Sequence, residues 1–164
     1  MSYENILYSI VFGAALLPSS SRFILGNNME KYNILIEYLL AIQNFAKDIH
    51  YTSTGEAAYS KHLLADRVQE NLYDFIDKIK EVCFLGNDTP ALPSGEYLSR
   101  ATSKIPQLGD TDKANFMKLR QLMVTTLGHI ENIDDITIGE ANLIGNIAED
   151  LQNNLGLINL QIRD

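Results

Sequence analysis

Proline most limits what this chain can build. Its four prolines stand at 18, 90, 93 and 106, so the tracts 27–86 and 107–164 contain none. A proline inside a helix removes a backbone hydrogen bond and clashes with the preceding turn, so proline-free tracts are where helices can run. Both tracts repeat apolar residues at helical period. Tyr32, Leu35, Ile36, Leu39, Ile42, Ala46 and Ile49 predict a first helix, with Asn27 as its cap and Glu30 reaching back. His50 falls at its C-terminal end, in line with Ala46. Ser53-Thr54-Gly55-Glu56 predicts the start of a second helix near residue 55, and Gly86-Asn87 its stop. The core stripe of that helix reads Leu64, Val68, Leu72, Phe75, Ile79 and Val82. A second stripe runs beside it: His62, Asp66, Glu70, Tyr73, Asp77 and Glu81.

Residues 87–109 hold three of the prolines and form a long connection, with room for a short helix from Ser94 to Ser103 capped by Ser94. A third helix is expected from about Asp110, burying Phe116, Leu119, Leu122, Met123, Thr126, Leu127 and Ile130. After the turn Asn132 to Asp135, Thr137 and Glu140 form a capping box for a fourth, which buries Ile144, Ala148, Leu151, Leu155 and Ile158. Short 1–2 and 3–4 connections make those pairs antiparallel, and the long crossover makes helices 2 and 3 parallel. The expected fold is all-α, a ferritin-like four-helix bundle with a short helix in its crossover. Residues 1–28 are expected to be an N-terminal extension, and 29–164 the bundle.

Composition excludes several classes. A net charge of −8 repels the phosphates of DNA, and residues 1–28 carry a single basic residue, Arg22, so DNA binding is not expected. The apolar run 6–17 is too short to span a bilayer and follows an acid rather than the basic residues of a secretory signal. It is expected to pack on the core or on a neighbouring subunit. Cys83 is the single cysteine, which rules out an internal disulfide; its apolar neighbours suggest an inert core thiol in a cytoplasmic protein.

Five residues form a regular array of potential metal ligands: His50, His62, Asp66, Asp77 and Glu81. His62 and Asp66 are four apart, as are Asp77 and Glu81, so each pair stacks on one helix face. On an unbroken helix the two pairs, eleven residues apart, lie roughly 16 Å from each other with a rotation of only about 20°. They face the same way yet are too distant to share an ion within one chain. Two copies laid antiparallel about a twofold axis would bring one chain's His/Asp pair to the other's Asp/Glu pair. No glutamate has a histidine three residues later, which excludes the intrachain di-iron site of ferritins.

With these positions in register, the chain resembles the Dps-type mini-ferritins. That family carries a His at the end of its first helix, a Gly five residues on and a second His twelve residues after the first. An Asp follows four beyond, then an Asp-x-x-x-Glu pair eleven later and a Leu-Gly. Here these are His50, Gly55, His62, Asp66, Asp77 with Glu81, and Leu85-Gly86, without a gap. The resemblance covers 27–164 in helix plan and is specific in sequence over 50–86. It implies a hollow shell of twelve subunits that oxidises Fe(II), generally with hydrogen peroxide, and collects ferric mineral inside. It also implies that His50, His62 and Asp66 come from one subunit and Asp77 and Glu81 from its mate. Imidazole and carboxylate donors suit Fe(II) and admit Zn, Co or Mn. Metal binding that needs neutral imidazoles and ionised carboxylates weakens below about pH 6.

The chain departs from the family pattern at Tyr51, where Trp is common, at Ala57 and Ala58, which replace aromatics, and at Val82, which replaces Arg. Beyond the array, His129 reads as a helix C-terminal cation or surface residue, Glu70 and Tyr73 as neighbours of the metal face, and Asp134 and Asp135 as a solvated turn or the lining of an iron entry pore. Two other readings stand beside the ferroxidase: a non-enzymatic shell that binds a metal or partner without turnover, and a helical dimer that never closes. Light scattering on the purified protein is expected to give a mass close to twelve chains; a mass near two chains would leave only the dimer.

Overall fold

The computed structural model describes residues 19–163. The apolar run 6–17, and most of the expected extension with it, lies outside the described residues. Six α-helices follow in order: α1 (Ser19–Thr52), α2 (Ala58–Gln69), α3 (Leu72–Ile79), α4 (Ser94–Thr102), α5 (Asp112–Glu131) and α6 (Ile138–Ile162). A π-helical turn, Lys80–Phe84, and a 3-10 turn, Leu85–Asn87, prolong α3. The described residues contain no strand. None of their helices is long and apolar enough to cross a membrane.

Because α2, α3 and the two turns form one bent rod, the architecture is a four-rod bundle with α4 in the crossover. Side-chain contacts give the rod directions. At the C-terminal end of α1, the Thr54 amide donates to Asp112 at the start of α5 (3.2 Å), while Lys31 of α1 meets His129 at the end of α5. So α1 and α5 are antiparallel. Asn71 donates to Asp150 (2.8 Å) and Asn87 to Glu140 (3.0 Å), so the bent rod and α6 are antiparallel too. The tight turn after α1 makes α2 antiparallel to it. The second and third rods therefore run parallel, as the long crossover demands.

The whole expected stripe of α1, from Tyr32 to Ile49, is buried, and Phe45 joins it. This helix packs on α2, α3, α4 and α5, which makes it the spine of the core. The stripes of α5 and α6 also face inward, with Leu127, Ala148 and Leu155 half-buried. On the bent rod the apolar face is centred on Leu72, Ile76, Ile79 and Cys83, which leaves Val82 exposed at its edge instead of buried. Thr137 and Glu140 form the expected capping box of α6.

Other helix starts differ from expectation. α1 begins at Ser19, before the Asn27 cap, because nothing between the two interrupts helical winding. Glu30 instead accepts from Asn33 (3.1 Å) and Arg100 (3.1 Å). The Ser53 hydroxyl closes the end of α1 by donating to the Ile49 carbonyl (2.8 Å), so it does not open α2. α4 starts at Ser94 itself, with Pro93 at the cap position, and α5 starts at Asp112, capped by Thr111, which accepts from the Ala114 amide (3.2 Å). The second helix is not continuous. It lapses at Glu70 and Asn71, where the Asn71 amide turns to Asp150 on α6.

Two polar clusters tie the rods together. Glu37, buried on α1, pairs with Lys104 (2.7 Å) and Arg100 (3.5 Å), which pins the crossover to the spine. Removing the cations would leave the buried Glu37 carboxylate without an opposite charge. The second cluster groups Tyr32, Cys83 and Glu140, and the Glu140 carboxylate accepts from Asn87 (3.0 Å) and from the Thr137 amide (2.7 Å). Burial alone would raise the pKa of Glu140; hydrogen bonds from Thr137, Asn87 and Tyr32 outweigh it, and the net shift is downward. Burial first, then the Glu140 charge, pushes the Cys83 thiol from 9.0 up to about 12.

An unfolded thiol ionises where the folded one keeps its proton. Stability from Cys83 is thus complete below about pH 9 and declines as pH rises toward about 12. Denaturant melts are expected to lose stability between about pH 9 and pH 10 in the wild type and to lose less in Cys83→Ala. Equal slopes in both would trace the alkaline loss to other groups.

Candidate metal centre

A helix end must dispose of carbonyls that lack a partner in the next turn. At the end of α1 the chain reverses through Gly55, with φ +72°, and Ala57, with φ 60°. The reversal sets residue 50 opposite residue 62. His62 Nδ1 then donates to the His50 carbonyl (2.9 Å), and His50 Nδ1 to the His62 carbonyl (3.3 Å). A carbonyl can only accept, so each Nδ1 carries the proton and each Nε2 keeps a lone pair, the atom a metal takes. The two rings lie 3.6 Å apart, inclined by 31°. Tyr51 stands edge-on to His50 at 4.8 Å. Asp112 holds this hairpin on α5 by accepting from the Thr54 amide and from Lys61 (2.9 Å).

The structure brings His50 and His62 together and sets Asp66 beside them, with Asp66 Oδ1 3.8 Å from His50 Nδ1. Both histidines are half-buried, whereas Asp66 is exposed. Asp77 and Glu81 are exposed as well, further along the bent rod, Asp77 on α3 and Glu81 in the π-helical turn. They do not meet the histidines within the chain. Among the described residues no group of three or more His, Cys, Asp or Glu side chains is placed to hold a metal. The break at Glu70–Asn71 also means that the rise and rotation calculated for one unbroken helix do not apply.

The face carrying these residues is not simply polar. Tyr59 and Leu63 on α2 and Tyr73 on α3 are exposed beside Asp66, Glu70 and Asp77, and Tyr59 and Tyr73 are 75% and 70% exposed. Leu85 continues the apolar component. Large exposed apolar side chains rimmed by charge suit an interface.

The remaining sequence candidates fall elsewhere. His129 does lie in the last turn of α5, but its Nε2 donates to the Lys31 carbonyl (2.8 Å) and its ring packs on Tyr38, so it joins two rods rather than facing solvent. Asp134 and Asp135 are exposed, and their backbone carbonyls accept from Lys31 Nζ. The sequence reading missed the reciprocal imidazole–carbonyl bonds. The only signal for them was a histidine on each side of Gly55, where the chain turns back.

No family model matches the sequence, and no curated protein matches it significantly. Solved structures do. Dps from Thermosynechococcus elongatus superposes with a TM-score of 0.69 at 17% identity, covering 89% of this chain and 96% of that one. A point mutant of Dps1 from Mycobacterium smegmatis superposes with a TM-score of 0.64 at 15% identity, covering 90% of this chain and 100% of that one. At these identities the likeness is one of fold: the chain has the fold of a Dps-type mini-ferritin.

The two left-handed residues of the hairpin respond oppositely to substitution. Gly55→Ala places a Cβ where the backbone disfavours it and is expected to lower stability by about 1 kcal/mol, while Ala57→Gly relieves strain and is expected to raise it by up to about 1 kcal/mol. Denaturant melts of both variants check the signs.

Proposed function

We propose that this chain is the subunit of a Dps-like cage that oxidises Fe(II) with hydrogen peroxide, or O2, at sites shared between two subunits, and stores the ferric product. The observation that carries the proposal is the hairpin of paired imidazoles. Each Nδ1 is committed to a backbone carbonyl, which leaves two Nε2 lone pairs on neighbouring rings. Two nitrogens are too few to hold iron, and the acids that would complete the set stand on the same rod but out of reach. A second chain placed antiparallel on the exposed stripe supplies them.

In this reading one subunit contributes His50 and His62, with Asp66 beside them, and its mate contributes Asp77 and Glu81. Neutral nitrogens and two carboxylates suit Fe(II) and leave positions open for the oxidant. Peroxide takes one electron from each of two Fe(II) ions and two protons, and leaves as water. The carbonyl bonds fix the tautomer of each neutral imidazole so that Nε2 is the nitrogen offered to iron, and the carboxylates offset the charge that grows as iron is oxidised. Burial of Tyr59, Leu63 and Tyr73 against the mate keeps bulk water from the centre. The likeness of fold to the two Dps structures supports the same reading.

Anaerobic Fe(II) mixed with the protein and then with peroxide is expected to give ferric absorbance faster than buffer. His50→Ala and Asp77→Ala should each lose the acceleration. Coexpression of the two variants tests sharing directly, since a mixed dimer has one doubly defective site and one intact site. Random pairing then restores up to about a quarter of the sites. No restoration removes the shared site, and no acceleration by the wild type removes the ferroxidase.

A further inference from the structure

Among the described residues, one buried side-chain polar atom finds no protein partner: Oδ1 of Asn154, on α6. Asn154 is 1% exposed, so bulk water does not reach it. A buried acceptor costs free energy unless something donates to it, and in folded proteins nearly every one is met by the protein, an ordered water or an ion. Turning the amide over does not help. Asn154 Nδ2 donates to Asp150 Oδ2 (3.0 Å), so the turned amide would set oxygen against oxygen.

We infer that Asn154 Oδ1 and Asp150 hold a small guest that presents positive charge to oxygen, either a water molecule through its O–H or a monovalent cation. The surroundings are rich in acceptors. The other Asp150 oxygen takes the Asn71 side-chain amide (2.8 Å), and among the described residues no Lys, Arg or His pairs with that carboxylate. Asn71 follows the last turn of α2, whose final carbonyls lose the amides that a continuing helix would bring. Oxygen acceptors around one negative charge suit a hard ion of single charge, and a water needs two or more such partners. The site lies at the joint where α2 passes to α3, so its occupant braces the link between the imidazole hairpin and the acids beyond it. The inference stands apart from the ferroxidase reading, since none of its residues is a candidate ligand for iron.

Crystals of the intact protein, grown in sodium chloride and then soaked in rubidium chloride, test it. Density is expected within about 3.2 Å of Asn154 Oδ1. An anomalous rubidium signal at that peak identifies a cation, and a peak without one identifies water. Melts at equal ionic strength accompany the crystals. A cation raises the midpoint in sodium or potassium chloride above that in choline chloride, whereas water leaves the three midpoints equal. No peak at Oδ1, or an Asn154 that accepts from a protein donor, overturns the inference. A rubidium peak with three equal midpoints marks an adventitious ion only and overturns it too. So does a peak that persists in Asn154→Leu, because it then belongs to other groups.

Discussion

Everything in this molecule is arranged around the burial of one face of α1. No other helix touches so many elements, and its apolar stripe is fully excluded from water from Leu35 to Ile49. Each large apolar side chain taken from water there contributes roughly 1.5–3 kcal/mol, and truncating one costs about 2–5 kcal/mol because the neighbours cannot close the gap. That burial fixes where α1 ends. The end in turn fixes the hairpin at Gly55, and the hairpin fixes the two imidazoles. The candidate centre is thus built from a packing constraint on one side and a backbone constraint on the other. The His62 ring is oriented by the His50 carbonyl, which the end of α1 leaves without a partner in the next turn.

What could be read in advance depended on how local the cause was. The stripe of α1 and the capping box of Thr137 and Glu140 are local patterns, and the structure contains both. The Asn27 and Ser53 signals are local too, but a cap residue says only that a helix can start. It does not stop a preceding helix from running through it, as at Asn27, and its hydroxyl is free to serve the helix behind it, as at Ser53. The lapse at Glu70–Asn71 had no local sign, since neither Gly nor Pro stands there. It answers to Asp150, distant in sequence and reached only after the chain has crossed the bundle.

The candidate centre divides in the same way. Spacing alone identified which residues carry donor atoms and that two groups of them could not meet within a chain. It did not show which ring nitrogen each histidine would offer, because the answer lies with backbone carbonyls that no residue identity encodes. It placed His62 and Asp66 on one helix face, as the unbroken α2 does, but gave no sign that the His62 ring would stack on that of His50.

The joint at Asn71 has a mechanical meaning. The imidazoles sit at the α1–α2 hairpin, and Asp77 and Glu81 lie beyond the lapse, so the span between them depends on the angle at that joint. At the joint itself, Asn71 donates to Asp150 of α6 in a half-buried contact (2.8 Å). Altering position 150 would therefore change the angle between α2 and α3 while leaving every candidate ligand in place.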